Sequence, residues 1–372
     1  MHTAQCLYRG FLTMPPLPID LGIIEGYYGR PWSWPQRSQV ITTLAAHGYR
    51  FFLYAPKAAG HLRRGWRDPV RESDLDDLAA FAGHCRSLGV RFGVGLSPHE
   101  FDAAADSPDW GRLAARLQLL DSAVGLDELA LLFDDIRGDD PTLAARQASI
   151  AAFVGDRTRA GRLYVCPSYY SDDPVLDRVF GRRPPGYLAQ LGRLLDPAVA
   201  VFWTGEEVCS REYGASHLRE LAQTLGRKPV LWDNYPVNDG QRMSQSLHLR
   251  AATGRPASNA PLLAGHAINP ALQPVIGCIP AITLAARYRL GDEHYAYGAA
   301  LRQASREVLG ESLAEQVVGD LIALQDTGLD RLGEQAAVLR ERYAGINHDG
   351  AREIVAWLDG EWRITDEIVR TQ

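Results

Sequence analysis

The feature that most constrains the fold is a regular alternation of short apolar segments and longer amphipathic segments between residues 21 and about 290. The short segments are rich in β-branched and aromatic residues and are typical of buried strands. They lie at 21–28, 51–56, 91–96, 129–134, 162–168, 199–204, 229–233 and 261–266. The longer segments, such as 72–88 and 109–124, have the period of helices. This alternation predicts parallel strands joined by crossover helices.

The number of strand–helix units favours a closed (β/α)8 barrel of the TIM type. Eight units over roughly 270 residues match a barrel whose usual length is about 250 residues. An open doubly wound sheet is the alternative, and it is less favoured because no G-x-G-x-x-G motif follows the first strand. Residues 240–260 break the alternation and predict a longer insertion between the seventh and eighth strands, near the barrel mouth.

The chain divides into three parts on these patterns. Residues 1–18 are interpreted as a flexible leader, 19–290 as the catalytic barrel, and 291–372 as a helical C-terminal region. Within the last part, helical periodicity predicts four helices, at 294–309, 311–325, 331–344 and 350–369. Packing against the barrel is the favoured role of these helices. A homodimer interface or a wall of the substrate groove is the alternative.

The N-terminus and the cysteines favour a reducing, cytoplasmic location. The first 18 residues carry only Arg9 as a positive charge and lack both a long apolar stretch and a small-residue cleavage site, so they make a poor signal peptide. Met14 is an alternative start of translation. The cysteines are odd in number and far apart in sequence, which argues against a disulfide framework. They are Cys6, Cys85, Cys166, Cys209 and Cys278.

Composition excludes several classes of partner and cofactor. The net charge is −6, from 39 basic and 45 acidic residues, and no basic stripe is present, so a nucleic-acid partner is not expected. The longest apolar runs have the length of strands, so no membrane span is expected. The sequence has no CxxC pair and no HExxH motif, and we expect neither a metal nor a cofactor.

Two adjacent acids, Asp134 and Asp135, follow the apolar run 129–133. In a barrel of this type the carboxyl ends of the strands form the face that carries the chemistry. Two neighbouring carboxylates partly removed from water should titrate together, with the pKa of one raised relative to the other. Such a pair suits a general acid beside an ionised partner. A helix cap or a surface turn is the alternative interpretation.

Other polar and aromatic side chains follow the predicted strands. Lys57 follows the second strand, and the alternative to a role in a site is an ordinary surface lysine. Tyr28 follows the first strand, and its ring could instead pack at the rim of the barrel. Asp233 could instead cap a helix or bind the backbone, while His99 and His266 are more typical of hydrogen-bonded structural histidines. A sugar site needs this mixture, because aromatic rings cover the apolar face of a sugar while acids and amides bind its hydroxyls.

Taken together, these segments resemble glycoside hydrolase family 84, which comprises the O-GlcNAcases and related bacterial β-N-acetylglucosaminidases. The first and last matching segments are long and specific, and all of them occur in the order found in the family over about residues 20–290. The matching segments are 22–32, 54–57, 132–136, 166–170, 202–205 and 232–239.

The resemblance implies a retaining exo-β-N-acetylglucosaminidase that works by substrate-assisted catalysis, an exception to the usual two-carboxylate scheme. Asp134 would hold and polarise the N–H of the substrate's 2-acetamido group. The acetamido oxygen would then attack the anomeric carbon and form an oxazoline. Asp135 would protonate the leaving oxygen and later deprotonate the incoming water. The tethered nucleophile would remove much of the entropic barrier.

The resemblance also implies which residues contact the sugar. Asp239 and Asn269 would hold ring hydroxyls, Tyr170 would lie near the acetamido or oxazoline oxygen, and Trp232 would wall the pocket for the N-acetyl methyl. The complete set of implied substrate-binding residues is Gly26 (through its backbone), Lys57, Tyr170, Trp232, Asn234, Asp239 and Asn269.

Departures from the family pattern concern the groove beyond the sugar. Ala58-Ala59 stand where family members often carry acids, and Glu206-Glu207 stand where a proline-containing stretch is expected. The expected substrate is a β-N-acetylglucosaminyl glycoprotein or small glycoside. Two alternatives stay open: a hexosaminidase of another specificity, such as one acting on hyaluronan or peptidoglycan fragments, and a catalytically idle sugar-binding protein. Every matched catalytic position is filled, which favours activity.

Overall fold

The computed structural model describes residues 16–372. Its strands form a closed parallel barrel in sequence order, and the last strand pairs with the first, with Leu21 opposite His266. The predicted (β/α)8 barrel is therefore confirmed. The strands are β1 (Leu21–Glu25), β2 (Tyr49–Tyr54), β3 (Arg91–Leu96), β4 (Glu128–Leu132), β5 (Arg162–Cys166), β6 (Ala200–Trp203), β7 (Val230–Asp233) and β8 (Gly265–Ile268).

Helices follow the strands and cover the outside of the barrel. The first begins with a capping box, in which Ser33 and Gln36 satisfy each other's backbone N–H groups. Two helices rather than one separate β5 from β6. The barrel helices are α1 (Trp34–Ala45), α2 (Glu72–Ser87), α3 (Asp109–Ala123), α4 (Leu143–Gly155), α5 (Pro174–Phe180), α6 (Tyr187–Leu194), α7 (Ala215–Leu225) and α8 (Cys278–Leu290).

Large aromatic side chains fill the barrel interior. The ring of Tyr164 stacks between those of Phe51 and Phe202, with centroids 6.1 and 5.0 Å away. Gly22 faces the same layer, and a Cβ added there would lie 2.4 Å from the Phe51 ring. The glycine therefore leaves the room that Phe51 occupies. Because parallel strands are buried on both faces, they need continuous apolar runs, which explains why the sequence pattern was so clear.

The eighth strand differs from its predicted position. It begins at Gly265, whereas the apolar run predicted a strand from residue 261 to 266. The run Ala257–Leu262 is instead a 3-10 helix that contains Pro261. A proline cannot donate a hydrogen bond to the strand ladder, so it disfavours a central strand at this point. The long connection between β7 and β8 was correctly predicted, and it includes a short 3-10 turn at Met243–Gln245.

The remaining residues form a helical region. The single helix predicted over 350–369 is two helices, interrupted near Gly360, whose φ of +80° lies in the left-handed region that favours glycine. Residues 322–327 form a π-helical turn, and a 3-10 turn follows at 329–331. The helices are α9 (Tyr297–Leu309), α10 (Glu311–Gly319), α11 (Gln335–Ala344), α12 (Asp349–Leu358) and α13 (Asp366–Thr371).

Helix α12 packs against the connections that follow β7 and β8. The buried Glu353 carboxylate accepts hydrogen bonds from the backbone N–H groups of Val275 and Ile276, at 2.9 and 3.0 Å. The Trp357 indole donates to the carbonyl of Ser244 at 3.2 Å. The helical region therefore supports two connections that rise from the carboxyl ends of barrel strands. Between residues 16 and 372, no helix is long and apolar enough to cross a membrane.

Candidate active site

A cavity of about 280 Å³ opens at the carboxyl ends of the strands. It brings together side chains or backbone from the ends of β1, β2, β4, β5, β7 and β8. All nine residues singled out from the sequence line it. They are Gly26, Lys57, Asp134, Asp135, Tyr170, Trp232, Asn234, Asp239 and Asn269.

The paired acids reach the cavity through a sharp turn after β4. The backbone N–H of Phe133 still bonds the carbonyl of Cys166 at 2.9 Å, so the chain stays beside β5 up to that point. Asp135 then adopts a φ of +58°. A non-glycine residue there costs on the order of 1–3 kcal/mol, and such residues cluster at functional sites. The turn places the side chains of both Asp134 and Asp135 on the cavity.

Lys57 holds the two carboxylates together. Its ammonium donates to Asp134 Oδ2 and lies 3.1 Å from Asp135 Oδ2. Burial acts to lower the pKa of Lys57, but the two carboxylates outweigh burial and raise it above its ordinary value. Lys57 is thus a buried cation at the centre of the site, and the alternative of a surface lysine is wrong.

Asp135 is surrounded by donors. The Tyr28 hydroxyl donates to its Oδ2 at 2.7 Å, and the Tyr170 hydroxyl donates to its Oδ1 at 3.2 Å. Burial acts to raise the pKa of Asp135, but the Lys57 charge and the hydrogen bond from Tyr28 outweigh it, and the pKa is lowered. The direction is opposite to the raised pKa expected of a proton donor.

One carboxylate oxygen of Asp134 has no partner among the residues that the structure describes. Its Oδ2 accepts from Lys57, whereas its buried Oδ1 has no hydrogen-bond partner among residues 16–372. A buried acceptor left unpaired carries a desolvation penalty of roughly 1–3 kcal/mol. Because Asp134 lines the cavity, an N–H or O–H group of a ligand can supply the missing bond.

The amides form a chain across the other side of the cavity. Asn234 Oδ1 accepts from the Trp232 indole at 3.1 Å and from Asn269 Nδ2 at 3.0 Å, while its Nδ2 donates to Val208. Asn269 Oδ1 in turn accepts from the backbone N–H of Gly26 at 3.2 Å. A Cβ added to Gly26 would lie 2.4 Å from the Trp232 ring. The glycine thus lets the indole pack directly against the backbone and wall the cavity.

Asp239 lines the cavity beside the turn that follows β1. Its Oδ2 accepts from the backbone N–H of Tyr28 at 2.9 Å. Burial raises the pKa of Asp239 to about 6. Tyr28 is therefore shared by two acids, since its backbone bonds Asp239 and its hydroxyl bonds Asp135.

Asp233, at the end of β7, has its hydrogen bonds filled by the protein. Arg255 donates to both of its oxygens, at 2.9 and 2.7 Å, and His266 Nε2 lies 3.0 Å from Oδ2. Burial acts to raise the pKa of Asp233, but Arg255 and His266 lower it well below its usual range. His266 is thus a structural histidine, as expected, while Asp233 forms a buried ion pair rather than a helix cap.

Several residues that line this cavity are not predicted from the sequence. For Tyr28 the sequence indicates no more than packing at the rim, although the residue lies two positions beyond Gly26 in a matched segment. Cys209 and Met243 come from loops that carry no recognised motif, and Val369 comes from helix α13. Helical periodicity shows that a residue lies on a helix but not what lies opposite it. In the part of the chain that the structure describes, no group of three His, Cys, Asp or Glu side chains is arranged to hold a metal ion.

A (β/α)8 barrel whose mouth holds paired carboxylates, amides and an indole wall has the architecture of a glycoside hydrolase. The sequence matches the family model described as beta-N-acetylglucosaminidase over residues 21–323. The chain therefore belongs to this family, and the resemblance found in the sequence is confirmed.

Relatives of known identity agree with this assignment. The chain is 28% identical over 279 residues to Protein O-GlcNAcase of Mus musculus and, to the same extent, to that of Rattus norvegicus. The match covers 72% of this chain but 30% of each relative, so the chain spans about a third of their length. An O-GlcNAc hydrolase mutant of Thermobaculum terrenum superposes with a TM-score of 0.76 at 26% identity, covering 91% of this chain and 80% of that one.

Proposed function

We propose that this protein removes terminal β-linked N-acetylglucosamine from glycoproteins or small glycosides with retention of configuration, using the substrate's own acetamido oxygen as nucleophile. The observation that carries the proposal is the state of Asp134. One of its oxygens is held by Lys57, the other is buried and has no partner among residues 16–372, and the residue itself lines the cavity. A buried acceptor of this kind matches the N–H of an acetamido group.

The first step uses Asp134 to prepare the nucleophile. When Asp134 Oδ1 accepts the acetamido N–H, electron density shifts towards the acetamido oxygen and strengthens its attack on the anomeric carbon. The Trp232 ring gives the acetyl methyl an apolar wall, and the Tyr170 hydroxyl stands beside the acid pair. A nucleophile tethered to the sugar and held in this way has lost most of its rotational freedom before the reaction begins.

The leaving group departs with a proton from Asp135. Attack of the acetamido oxygen breaks the glycosidic bond and forms the oxazoline ring in its protonated state, with the N–H still bonded to Asp134, and Asp135 transfers its proton to the departing oxygen. Water then attacks the anomeric carbon while Asp135 takes up one of its protons, which restores the acid and the acetamido group. The side chain of Asp135 retains 19% exposure, so a bound sugar would remove its remaining water and raise its pKa towards that of a proton donor.

The ring hydroxyls would be held by groups on the opposite side of the cavity. Asp239 offers a carboxylate, Asn269 an amide and Gly26 a backbone, all anchored to one another or to Tyr28. Because these groups are held by the ends of different strands, the sugar would be fixed relative to the acid pair rather than to a single loop.

Comparison of three nitrophenyl glycosides tests the proposal. We expect hydrolysis of the β-N-acetylglucosaminide, weaker hydrolysis of the β-N-acetylgalactosaminide and almost none of the β-glucoside, which lacks the acetamido group. Asp134→Asn is the matched variant, because it keeps the shape of the side chain and removes the charge. Equal rates on the glucoside and the N-acetyl sugar would contradict the proposal, and sugar binding without any hydrolysis would favour a catalytically idle binding protein.

Fluorination of the acetyl group tests the nucleophile itself. Each fluorine withdraws electrons from the acetamido oxygen, so we expect kcat to fall steeply through the mono-, di- and trifluoroacetyl substrates. A flat series would rule out attack by the acetamido oxygen and would point to an enzyme nucleophile instead.

A further inference from the structure

We propose that residues 359–372, here called the C-terminal segment, form a wall of the substrate groove, and that Val369 determines which leaving groups fit. The inference rests on the function proposed above and adds the chemistry of the group attached to the sugar. Val369 lines the same cavity as the acid pair and remains 38% exposed.

Gln372 fastens the C-terminal segment to the turn after β1. Its Oε1 accepts from the backbone N–H of Gly29 at 2.7 Å, and its Nε2 donates to the Gly29 carbonyl at 3.3 Å. Gly29 directly follows Tyr28, which bonds both Asp135 and Asp239. The segment is therefore attached to the turn that contacts both acids.

Arg63 provides a second attachment. It is buried, with 6% exposure. Its guanidinium donates to the backbone carbonyl of Gln372 and lies 5.9 Å from the centre of the Tyr28 ring. A buried cation needs polar partners, and the C-terminal segment supplies one for Arg63.

Ile364 joins the C-terminal segment to the connection between β7 and β8. Its backbone N–H donates to the hydroxyl of Ser244 at 3.1 Å. Its side chain packs on Gly29 so closely that an added Cβ there would lie 2.5 Å from Ile364 Cδ1. Ser244 follows Met243, another residue of the cavity lining. The segment is thus held beside Gly29 at both Ile364 and Gln372, and Val369 lies between these attachments in sequence.

Part of the cavity lining is apolar and is here called the rim; the acids and amides described above form the polar part of the lining. Val208, Met243 and Val369 come from three separate parts of the chain and all line the cavity. A peptide or an aryl leaving group can place carbon atoms against such a rim at no desolvation cost. A uronate would place a carboxylate there and lose part of its hydration, while Lys57, the cation among the described lining residues, is already bound to the acid pair. The structure therefore favours a peptide as the leaving group over an acidic polysaccharide.

The test compares leaving groups of different size in variants of Val369. The substrates are methyl β-N-acetylglucosaminide, an O-GlcNAc peptide with apolar flanking residues, and a hyaluronan oligosaccharide ending in N-acetylglucosamine. We expect Val369→Asp to lower kcat/KM on the peptide by about tenfold or more, mainly through KM, and Val369→Ala to lower it by about threefold. Both variants should lose clearly less on the methyl glycoside than on the peptide, because the methyl group is too small to need the wall that Val369 provides.

Val338→Asp is the matched control, because Val338 is a 56% exposed valine in the same helical region and is absent from the cavity lining. Val338→Asp should leave kcat/KM unchanged on both the peptide and the methyl glycoside. Equal losses on the peptide and the methyl glycoside, no loss on the peptide, or a preference of the parent protein for the hyaluronan fragment would each overturn the inference. Failure of the parent protein to hydrolyse any N-acetylglucosaminide would instead overturn the proposed function, and the inference with it.

Discussion

Asp134 and Asp233 make an instructive pair. Both lie at the carboxyl end of a barrel strand, both are almost fully buried, with 5% and 1% exposure, and both contact a cation. The difference lies in how many of their hydrogen bonds the protein fills. Both oxygens of Asp233 are bonded by Arg255 and His266, whereas one oxygen of Asp134 has no partner in the part of the chain that the structure describes.

This contrast distinguishes Asp233, whose carboxylate supports the fold, from Asp134, whose carboxylate can still bind a ligand. The planar guanidinium of Arg255 bonds both carboxylate oxygens at once, which saturates Asp233. The ammonium of Lys57 acts nearly as a point charge, so it offsets one of the two negative charges of the acid pair and leaves Asp134 Oδ1 without a partner among the described residues. The cation chosen at each strand end therefore decides whether the carboxylate supports the fold or serves the cavity.

The largest expected effect comes from Asp135→Asn. Loss of the acid should lower kcat on an O-GlcNAc peptide by roughly 10²–10⁴-fold, because its leaving oxygen needs a proton. A dinitrophenyl leaving group needs little protonation, so its rate should fall far less. The measurement is steady-state hydrolysis of both substrates, with the thermal midpoint as a check on folding. Equal losses on both substrates would mean that Asp135 is not the acid.

Arg255→Met should have the next largest effect, and on stability instead. It leaves the Asp233 carboxylate buried with only His266 beside it, and breaking a buried pair in this way costs about 3–5 kcal/mol. Urea unfolding measures the change. Arg302→Met is the control, since Arg302 is exposed and should change the unfolding free energy by less than about 0.5 kcal/mol. An unchanged unfolding free energy in Arg255→Met would show that Asp233 does not need its ion pair.

The barrel could be predicted because its determinants are local. A parallel strand buried on both faces must be a continuous apolar run, and a crossover helix must show an apolar stripe, so each unit is visible in its own sequence. The positions of Lys57, Asp134 and Asp239 in one cavity then follow from topology, because the ends of all eight strands meet at one face.

What could not be predicted depends on contacts between distant residues. Asp134 and Asp233 look alike in sequence, since nothing near them shows that Lys57 or Arg255 will be the partner. The lowered pKa of Asp135 depends on the hydroxyl of Tyr28, which lies 107 positions away. The contribution of Val369 to the cavity requires the break near Gly360 and the attachments of Gln372, which no periodicity reveals.

Asp239→Asn should have an intermediate effect that shows in the pH profile. With a pKa of about 6, Asp239 in the native protein gains a proton as pH falls through 6 and loses part of its capacity to accept bonds from sugar hydroxyls. The parent kcat/KM should therefore decline below about pH 6. The variant should lack this decline and should be roughly tenfold to a hundredfold slower at pH 7.5, the worth of a charged hydrogen bond. An unchanged acid limb would assign that titration to another group.

The same pKa predicts the sign of a stability effect. Because the folded pKa of Asp239 is raised above its ordinary value of 3.8, the native state binds the proton more tightly than the unfolded state does. Its contribution to stability is therefore full at low pH and is lost as pH rises through 6. Asp239→Asn should remove this dependence, which urea unfolding at pH 4.5 and 7.5 can measure.

Tyr28→Phe should have the smallest effect on activity. It tests whether a hydroxyl helps to set the pKa of Asp135, in contrast with Asp233, whose pKa is set by Arg255 and His266. The variant removes the 2.7 Å bond that stabilises the Asp135 carboxylate but leaves Lys57 in place. The pKa of Asp135 should rise, and the alkaline limb of kcat, which reports the acid in the enzyme–substrate complex, should move up by roughly one pH unit. Tyr169→Phe is the control, because the Tyr169 hydroxyl bonds the Gly181 carbonyl instead. A limb that stays in place would mean that the Tyr28 hydroxyl does not help to set the proton affinity of Asp135.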